Sequence, residues 1–142
     1  MTPSSESTKP SKLLIADDNQ QNCELLEAYL SDENYEFSFA VDGEETLLRV
    51  AENQPDLLLL DMMLPDGCGL DVLEALSEWE PVNRPTTVVL TASNDPQLLE
   101  RCSELKVHDL ISKPVHEDEF MRVVRDHKKL MVHGTQTLSS TT

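Results

Sequence analysis

Four short apolar segments of this chain each run directly into polar side chains that are able to do chemistry. These side chains are two neighbouring aspartates, a third aspartate, a threonine and a lysine: Asp17, Asp18, Asp61, Thr91 and Lys113. Taken singly, an aspartate or a threonine after a strand is more often a helix cap, and a lysine is more often solvated. Their common position after apolar segments makes them candidates for one site.

Three carboxylates, a hydroxyl and an ammonium group suit phosphoryl transfer with a divalent cation. Two carboxylates about 5 Å apart repel each other by roughly 3 kcal/mol at an effective dielectric constant near 20, so such a cluster needs a cation. Oxygen ligands without histidine or cysteine favour Mg²⁺. The cation and Lys113 would neutralise a transferred phosphoryl group, and Thr91 would donate a hydrogen bond to it. A carboxylate would then be the nucleophile.

The positions of these residues depend on five strand and helix pairs that alternate along the chain. The predicted strands are apolar or β-branched, and the segments between them have helical periodicity. The predicted strands cover residues 12–16, 36–41, 57–60, 86–90 and 107–112. Asp42 with Glu45, and Asp95 with Pro96, are typical of the first residues of helices.

Strict alternation of this kind predicts an α/β fold with a parallel sheet covered on both faces. We expect a flavodoxin-like (βα)5 three-layer sandwich with five strands in the order 2-1-3-4-5. Strands one, three, four and five are neighbours in this order, so their carboxyl ends bring the candidate residues to one edge. Asp61 follows the central strand and is the best candidate for the nucleophile.

Composition limits the classes of function. The chain has 142 residues, which is most typical of one domain, and carries 27 acidic against 11 basic residues, a net charge of −16. This balance argues against binding nucleic acid or an anionic membrane, because phosphate groups need lysine and arginine. Three widely spaced cysteines are typical of a reducing compartment, and no apolar run is long enough to span a bilayer. We therefore expect a cytoplasmic protein.

The same residues resemble the receiver domains of two-component response regulators, the CheY-like superfamily. The resemblance is carried by Asp17-Asp18, by Asp61 with the following Met-Met-Leu-Pro-Asp-Gly, by Thr91-Ala92, and by Lys113-Pro114. It covers about Lys12 to Leu130. We therefore expect a flexible tail over 1–11, a receiver domain over 12–131, and a tail or linker over 132–142.

The resemblance implies a role for each of these residues. Asp61 would accept a phosphoryl group from a phosphohistidine of a sensor histidine kinase or a histidine phosphotransfer protein. Mg²⁺, or Mn²⁺, would be bound by Asp18, Asp61 and the backbone carbonyl of Met63, with Asp17 acting mainly through water. Thr91 and Lys113 would bind the phosphoryl oxygens, and the Lys113–Pro114 bond would be cis. Such a domain catalyses only its own phosphorylation and dephosphorylation, and is not a metabolic enzyme.

The chain departs from the family at Leu110, because most members have an aromatic residue three positions before the lysine. We also expect His108 to be solvated rather than hydrogen-bonded across its surface, and His127 to lie at the edge of the core. Basic residues of the last helix form either a solvated face or a contact with an output domain or a second copy, through helix four, strand five and helix five. Arg122, Arg125, Lys128 and Lys129 make up this group.

Three other functions remain open at this stage. A haloacid-dehalogenase-type phosphatase also uses an aspartate after a strand, but its second aspartate would stand where Met63 lies. A flavodoxin would need to bind phosphate next to Asp17 and Asp18, which repel it. A receiver-like domain that only binds a partner is the third alternative.

Overall fold

The computed structural model of the protein describes residues 10–92 and 95–132, apart from the side chains at 68 and 128–132. The predicted tails, 1–11 and 132–142, lie almost wholly outside the described residues. At the two boundaries the first strand begins at Ser11 and the last helix ends at Val132.

The main sheet has five parallel strands which, numbered in chain order, lie side by side in the order 2-1-3-4-5, and this confirms the predicted topology. The strands are β1 Ser11–Ala16, β2 Tyr35–Ala40, β3 Leu57–Asp61, β4 Thr86–Thr91 and β5 Asp109–Ser112.

Five helices cover the two faces of the sheet, so the three-layer prediction is also confirmed. They are α1 Gln20–Tyr29, α2 Gly43–Asn53, α3 Gly69–Ser77, α4 Pro96–Glu104 and α5 Glu117–Val132, with a 3-10 turn at Pro81–Asn83. Helices α1 and α5 pack on one face, and α2, α3 and α4 pack on the other.

The central strand explains why the sequence contains four consecutive leucines. Leu57 and Leu59 pack with α1 and α5, whereas Leu58 and Leu60 pack with the helices of the opposite face. All four are fully buried. Successive side chains of a strand point to opposite faces, and in this sheet both faces are covered, so no polar residue is tolerated until the strand ends.

Two strand predictions reached one or two residues too far at one end, and each of β1 to β4 has one residue at an end that the prediction left out. Strand β2 ends at Ala40 rather than Val41, whose side chain is 53% exposed beside the edge strand. Strand β5 begins at Asp109 rather than Val107, because the Val107 N–H bonds back to the Cys102 carbonyl after α4. In both cases an apolar residue next to the end of the strand led us to predict a strand that reaches too far.

The predicted helix starts are confirmed by their hydrogen bonds. The Asp42 carboxylate accepts from the Glu45 N–H at 2.7 Å, and the Glu45 carboxylate accepts from the Val41 N–H at 2.8 Å. The Asp95 carboxylate caps α4 by accepting from the Gln97 N–H at 3.1 Å. These bonds satisfy amide groups that have no partner within the first helical turn.

The loop after β3 forms an antiparallel hairpin, Met63–Leu64 with Gly67–Cys68, that we did not predict. Gly67 has a φ of +145°, a conformation that residues with a Cβ rarely adopt. The Asp66 carboxylate accepts hydrogen bonds from the Gly43 and Glu44 N–H groups at the start of α2. These bonds lower the pKa of Asp66, the Gly43 bond having the largest effect, and they fasten the loop to α2.

Candidate functional site

Three aspartates meet at the carboxyl edge of the sheet, as the sequence predicted. Carboxylate oxygens of Asp17, Asp18 and Asp61 all lie within 4.8 Å of one another. Asp17 and Asp61 are buried, with 2% and 5% of their surface exposed, whereas Asp18 is exposed. The cluster is therefore half enclosed, with one carboxylate open to solvent.

Backbone hydrogen bonds fix these strand ends relative to one another. The Asp17 N–H donates to the Ala40 carbonyl at 2.9 Å, which extends the pairing of β1 with β2 beyond the strands. Residue Asp61 lies opposite Leu90 in the register of β3 and β4, and the next amide, Met62 N–H, donates to the Leu90 carbonyl at 3.0 Å. The sheet register therefore determines which reactive side chains become neighbours.

Two donors hold the Asp61 carboxylate, one charged and one neutral. Its Oδ2 atom lies 2.9 Å from Lys113 Nζ, and its Oδ1 atom accepts a hydrogen bond from the Met63 N–H at 3.1 Å. The Lys113 side chain is 25% exposed, so it reaches the buried carboxylate from the edge of the site. Each Asp61 oxygen thus has a donor, and the carboxylate has a defined orientation.

Lys113 and Thr91 are joined through the backbone at the ends of two adjacent strands. The Lys113 N–H donates to the Thr91 carbonyl at 2.8 Å, and Thr91 lies opposite Ser112 in the register. Thr91 is buried, with 4% of its surface exposed. The Lys113–Pro114 peptide bond is cis, as the resemblance implied.

The environment of Asp17 disfavours the charge of its carboxylate. Its oxygens accept hydrogen bonds from the Asn19 N–H at 2.8 Å and from the Asn22 side chain at 3.4 Å. Burial nevertheless raises the pKa of Asp17 above its ordinary value. The Asn19 bond opposes this rise, and the negative charge of Asp61 adds to it. Burial and like charge therefore outweigh the hydrogen bonds at this residue.

The charges of the cluster do not balance without a further cation. Carboxylates 4.8 Å apart repel by about 3.5 kcal/mol for each pair at an effective dielectric constant of 20. One ammonium group, that of Lys113, faces three carboxylates. Their oxygens are the hard donors that Mg²⁺ prefers, and no histidine or cysteine belongs to the cluster. The residues present therefore fit a magnesium site.

Met63 and Leu110 lie at the borders of the site. Met63 is 71% exposed and belongs to the hairpin next to Asp61. Leu110, which takes the place of the aromatic residue of the family, is half-buried against the core that α4 shares with α2 and α3. Its N–H is bonded to the Asp109 side chain.

The comparison with protein families identifies the chain. The family model described as the response regulator receiver domain matches residues 13–125. The chain belongs to this family. Receiver domains of response regulators are signalling domains and not metabolic enzymes.

Known receiver domains are similar to this chain in sequence and in fold. Response regulator PleD of Caulobacter vibrioides is 36% identical over 108 residues, which are 75% of this chain and 23% of PleD. The chain thus spans about a quarter of the length of this relative. The solved structure of the non-phosphorylated HemR receiver domain of Leptospira biflexa is 29% identical, with a TM-score of 0.74, over 82% of this chain and 93% of that one. A CheY-like receiver domain protein of Methanospirillum hungatei shares the fold at 21% identity, with a TM-score of 0.81 over 89% and 99% of the two chains.

His108 is exposed, as predicted, but it is also hydrogen-bonded, and His127 lies where the prediction placed it. His108 Nδ1 accepts a hydrogen bond from the Thr87 N–H at 3.0 Å, and its ring stands edge-on to that of His127 at 6.0 Å between centroids. His127 lies at the edge of the core, 7% exposed, with its Nε2 atom 3.4 Å from Asp109. A lone histidine in a loop carries no local signal of such contacts, because its partners are distant in sequence.

Two further features were missed or left undecided. The segment Pro65-Asp66-Gly67 is typical of a tight turn, and with Pro65 and Asp66 between the paired residues Leu64 and Gly67 it could have revealed the hairpin. Among the basic residues of α5, Arg125 forms an ion pair with Glu33 at 3.1 Å, while the side chains of Lys128 and Lys129 lie outside the described residues.

No helix in the described ranges is long and apolar enough to cross a bilayer.

Proposed function

We propose that this receiver domain accepts a phosphoryl group on Asp61 from a phosphohistidine of a sensor histidine kinase or histidine phosphotransfer protein. One observation carries the proposal: a buried carboxylate, oriented by Lys113 and the Met63 N–H, lies within 4.8 Å of two further carboxylates. This arrangement presents a nucleophile next to a cation site and an ammonium group. Phosphoryl transfer requires all three.

In the proposed reaction, one Asp61 oxygen forms a bond to phosphorus while the bond from phosphorus to the imidazole nitrogen of the donor breaks. The electron pair of the broken bond stays on the imidazole. Lys113 binds a phosphoryl oxygen and offsets its charge, and the Thr91 hydroxyl donates a hydrogen bond to another. Asp17, Asp18, Asp61 and the backbone carbonyl of Met63 would hold Mg²⁺ or Mn²⁺. When bound, this ion supplies positive charge to the phosphoryl oxygens.

Phosphorylation would act on partners through the surface of α4, β5 and α5. Lys113 and Thr91 both serve the phosphoryl group in this proposal, and they are joined through the backbone at the ends of β4 and β5. In this proposal, a shift of either residue would move Leu110, which packs on the α4 side of the sheet. An output domain or a second copy of the chain would read this surface.

The charge of the chain supports contacts with proteins in the cytoplasm rather than with nucleic acid or membranes. The net charge of −16 opposes binding to phosphate backbones and anionic lipids. The proposed catalysis is limited to phosphorylation and dephosphorylation of the chain itself.

A labelling experiment with acetyl phosphate and Mg²⁺ tests the proposal. We expect one acid-stable, base-labile phosphoryl group per chain, detected by intact-mass spectrometry and located by peptide mapping. Asp61→Asn should abolish labelling. Asp71→Asn, which changes an exposed carboxylate on α3, is the matched control and should label fully. Full labelling of Asp61→Asn would contradict the assignment, and an unlabelled wild-type chain would favour a domain that only binds a partner.

A further inference from the structure

A cavity lies at the edge of the sheet opposite to the aspartate cluster, and the proposed function does not use it. Its volume is about 250 Å³. It is lined by the beginnings of β4 and of the loop before β5, by the carboxyl end of α3, and by the turn that contains Arg84. Since β4 spans six residues, the cavity lies roughly 17 Å from the site at the other end of the strand.

The lining of this cavity is unusual for so acidic a chain, because it combines apolar walls with cationic side chains. Leu73 and Leu76 of α3 contribute to the apolar wall, and Arg84, Lys106 and His108 contribute the basic groups. No aspartate or glutamate belongs to the lining. The side chains that line the cavity therefore carry a net positive charge, whereas the chain as a whole has a net charge of −16.

The two cations of the lining are not neutralised by the protein. Arg84 is held by one bond, from Nε to the Trp79 carbonyl at 3.0 Å. Within the described ranges, neither its terminal nitrogens nor the Lys106 ammonium make an ion pair. By contrast, Arg49, Arg101 and Arg125 each pair with a glutamate. The Arg84 guanidinium is thus oriented and still has donors to offer.

Lys106 has a backbone conformation that lysine rarely adopts. It follows α4 with a φ of +64°, in the left-handed region, and its N–H donates to the Ser103 carbonyl. Glycine is the residue that adopts this conformation most readily after a helix. A strained residue whose side chain lines a cavity is a reason to look for a function of that side chain.

His108 supplies a third donor to the lining. Its Nδ1 atom accepts from the Thr87 N–H, so the neutral ring carries its proton on Nε2. The main chain of His108 is fixed as well, because its N–H donates to the Thr87 carbonyl at 2.8 Å. Burial, and to a smaller extent His127, lower the pKa of His108. A bound anion would favour the protonated ring and would oppose this effect.

We propose that this cavity binds a small molecule that carries an anionic group, a carboxylate or a phosphate ester, on an apolar body. The anionic group is recognised by Arg84, Lys106 and His108, and the apolar body packs against the α3 leucines. Binding at this cavity does not depend on phosphorylation of Asp61, so either proposal can be refuted without refuting the other.

Titrations of the ¹⁵N-labelled protein without Mg²⁺ test this proposal with three probes. Benzoate and phenyl phosphate carry the two anionic groups on the same ring, and benzamide is the neutral counterpart of benzoate. We expect at least one anionic probe to give saturable shifts of the amides of residues 84, 86, 87 and 105–108, with benzamide at least about tenfold weaker. Comparison of benzoate with phenyl phosphate shows which anion the cavity prefers.

Lys106→Gly separates a binding role of this side chain from a structural one. Glycine relieves the backbone strain, so the variant should melt at a higher temperature and yet bind the preferred probe about three- to tenfold more weakly. Gln54→Gly relieves similar strain at a φ of +49°, away from the cavity, and should raise the melting temperature without affecting binding. Arg122→Gln removes a positive charge from α5 and controls for the change in net charge.

Several results would overturn the proposal. Shifts that do not saturate, shifts centred on other residues, or equal binding of benzamide would each show that the cavity does not recognise anions. Unchanged affinity in Lys106→Gly would contradict the role given to Lys106. Loss of affinity in Arg122→Gln equal to that in Lys106→Gly would attribute the effect to net charge.

Discussion

Replacement of Asp18 by asparagine tests the electrostatics of the aspartate cluster most directly. Asp18 is the exposed member of the cluster, and asparagine preserves its shape while removing its charge. Asp17 is less suitable because its carboxylate accepts bonds from Asn19 and Asn22, and Asp61 is less suitable because of its ion pair with Lys113. Asp18→Asn therefore changes charge with little loss of local bonding.

The expected gain in stability without metal follows from the spacing of the carboxylates. At 4.8 Å, one pair repels by about 0.9 kcal/mol in bulk water and about 3.5 kcal/mol at an effective dielectric constant of 20. Asp18 faces two carboxylates, but it is exposed, and the Lys113 ammonium offsets part of the repulsion. We expect Asp18→Asn to raise the free energy of unfolding by about 1 kcal/mol, a rise in melting temperature of about 3 °C.

Mg²⁺ should stabilise the wild-type chain more than it stabilises Asp18→Asn. At ten times its dissociation constant, an ion that binds only the folded state stabilises the wild-type chain by about 1.4 kcal/mol, or about 4 °C. If loss of one ligand charge weakens binding tenfold, the same concentration stabilises Asp18→Asn by only about 0.4 kcal/mol. The variant should thus be the more stable protein without Mg²⁺, and the two proteins should be about equally stable with it.

Thermal unfolding followed by circular dichroism, with ionic strength held constant by KCl, measures both effects. Asp32→Asn removes an exposed charge outside the cluster and should retain the full response to Mg²⁺. A full Mg²⁺ response in Asp18→Asn would refute the metal site as we describe it. A lower stability of Asp18→Asn without metal would refute the repulsion argument.

Three further predictions concern the surroundings of the site and the opposite edge of the sheet. Gly69→Ala would place a Cβ atom 3.0 Å from the Asp61 carbonyl oxygen, so we expect a loss of about 2 kcal/mol in stability and slower labelling by acetyl phosphate; wild-type behaviour in both assays would contradict this. Because folding lowers the pKa of His108, its neutral form contributes stability above its unfolded pKa, near 6.5, and this contribution is lost as the pH falls through the folded value. Urea unfolding between about pH 7.5 and about pH 5.5 should therefore show a smaller loss in His108→Asn than in the wild type, and equal losses would exclude a role for this residue. Burial, and then the charges of Asp17 and Asp18, raise the pKa of Cys23 to about 11, so Cys23 should resist alkylation at neutral pH until the protein unfolds; rapid labelling of folded protein, located by mass spectrometry, would contradict its burial.

The sequence by itself determined the fold and the members of the candidate site. The physical reason is that both rest on repeated local patterns: apolar strands of four to six residues, amphipathic helices between them, and the rule that parallel strands end at one edge. Because Asp17, Asp18, Asp61, Thr91 and Lys113 each lie at the end of a strand or just after it, the strand order alone was enough to bring them together. The four leucines before Asp61 also correctly predicted that both faces of the sheet are covered.

Only the tertiary structure decided which groups touch. The contact of Asp61 with Lys113, the bonds from Asp66 to the start of α2, and the bond between Thr87 and His108 all join residues far apart in the chain. No local periodicity encodes such pairs, because they depend on the register of strands and the path of loops. The strained conformation of Lys106 and the cavity beside it arise in the same way, where the end of α4, the turn at Arg84 and the first residues of β4 meet.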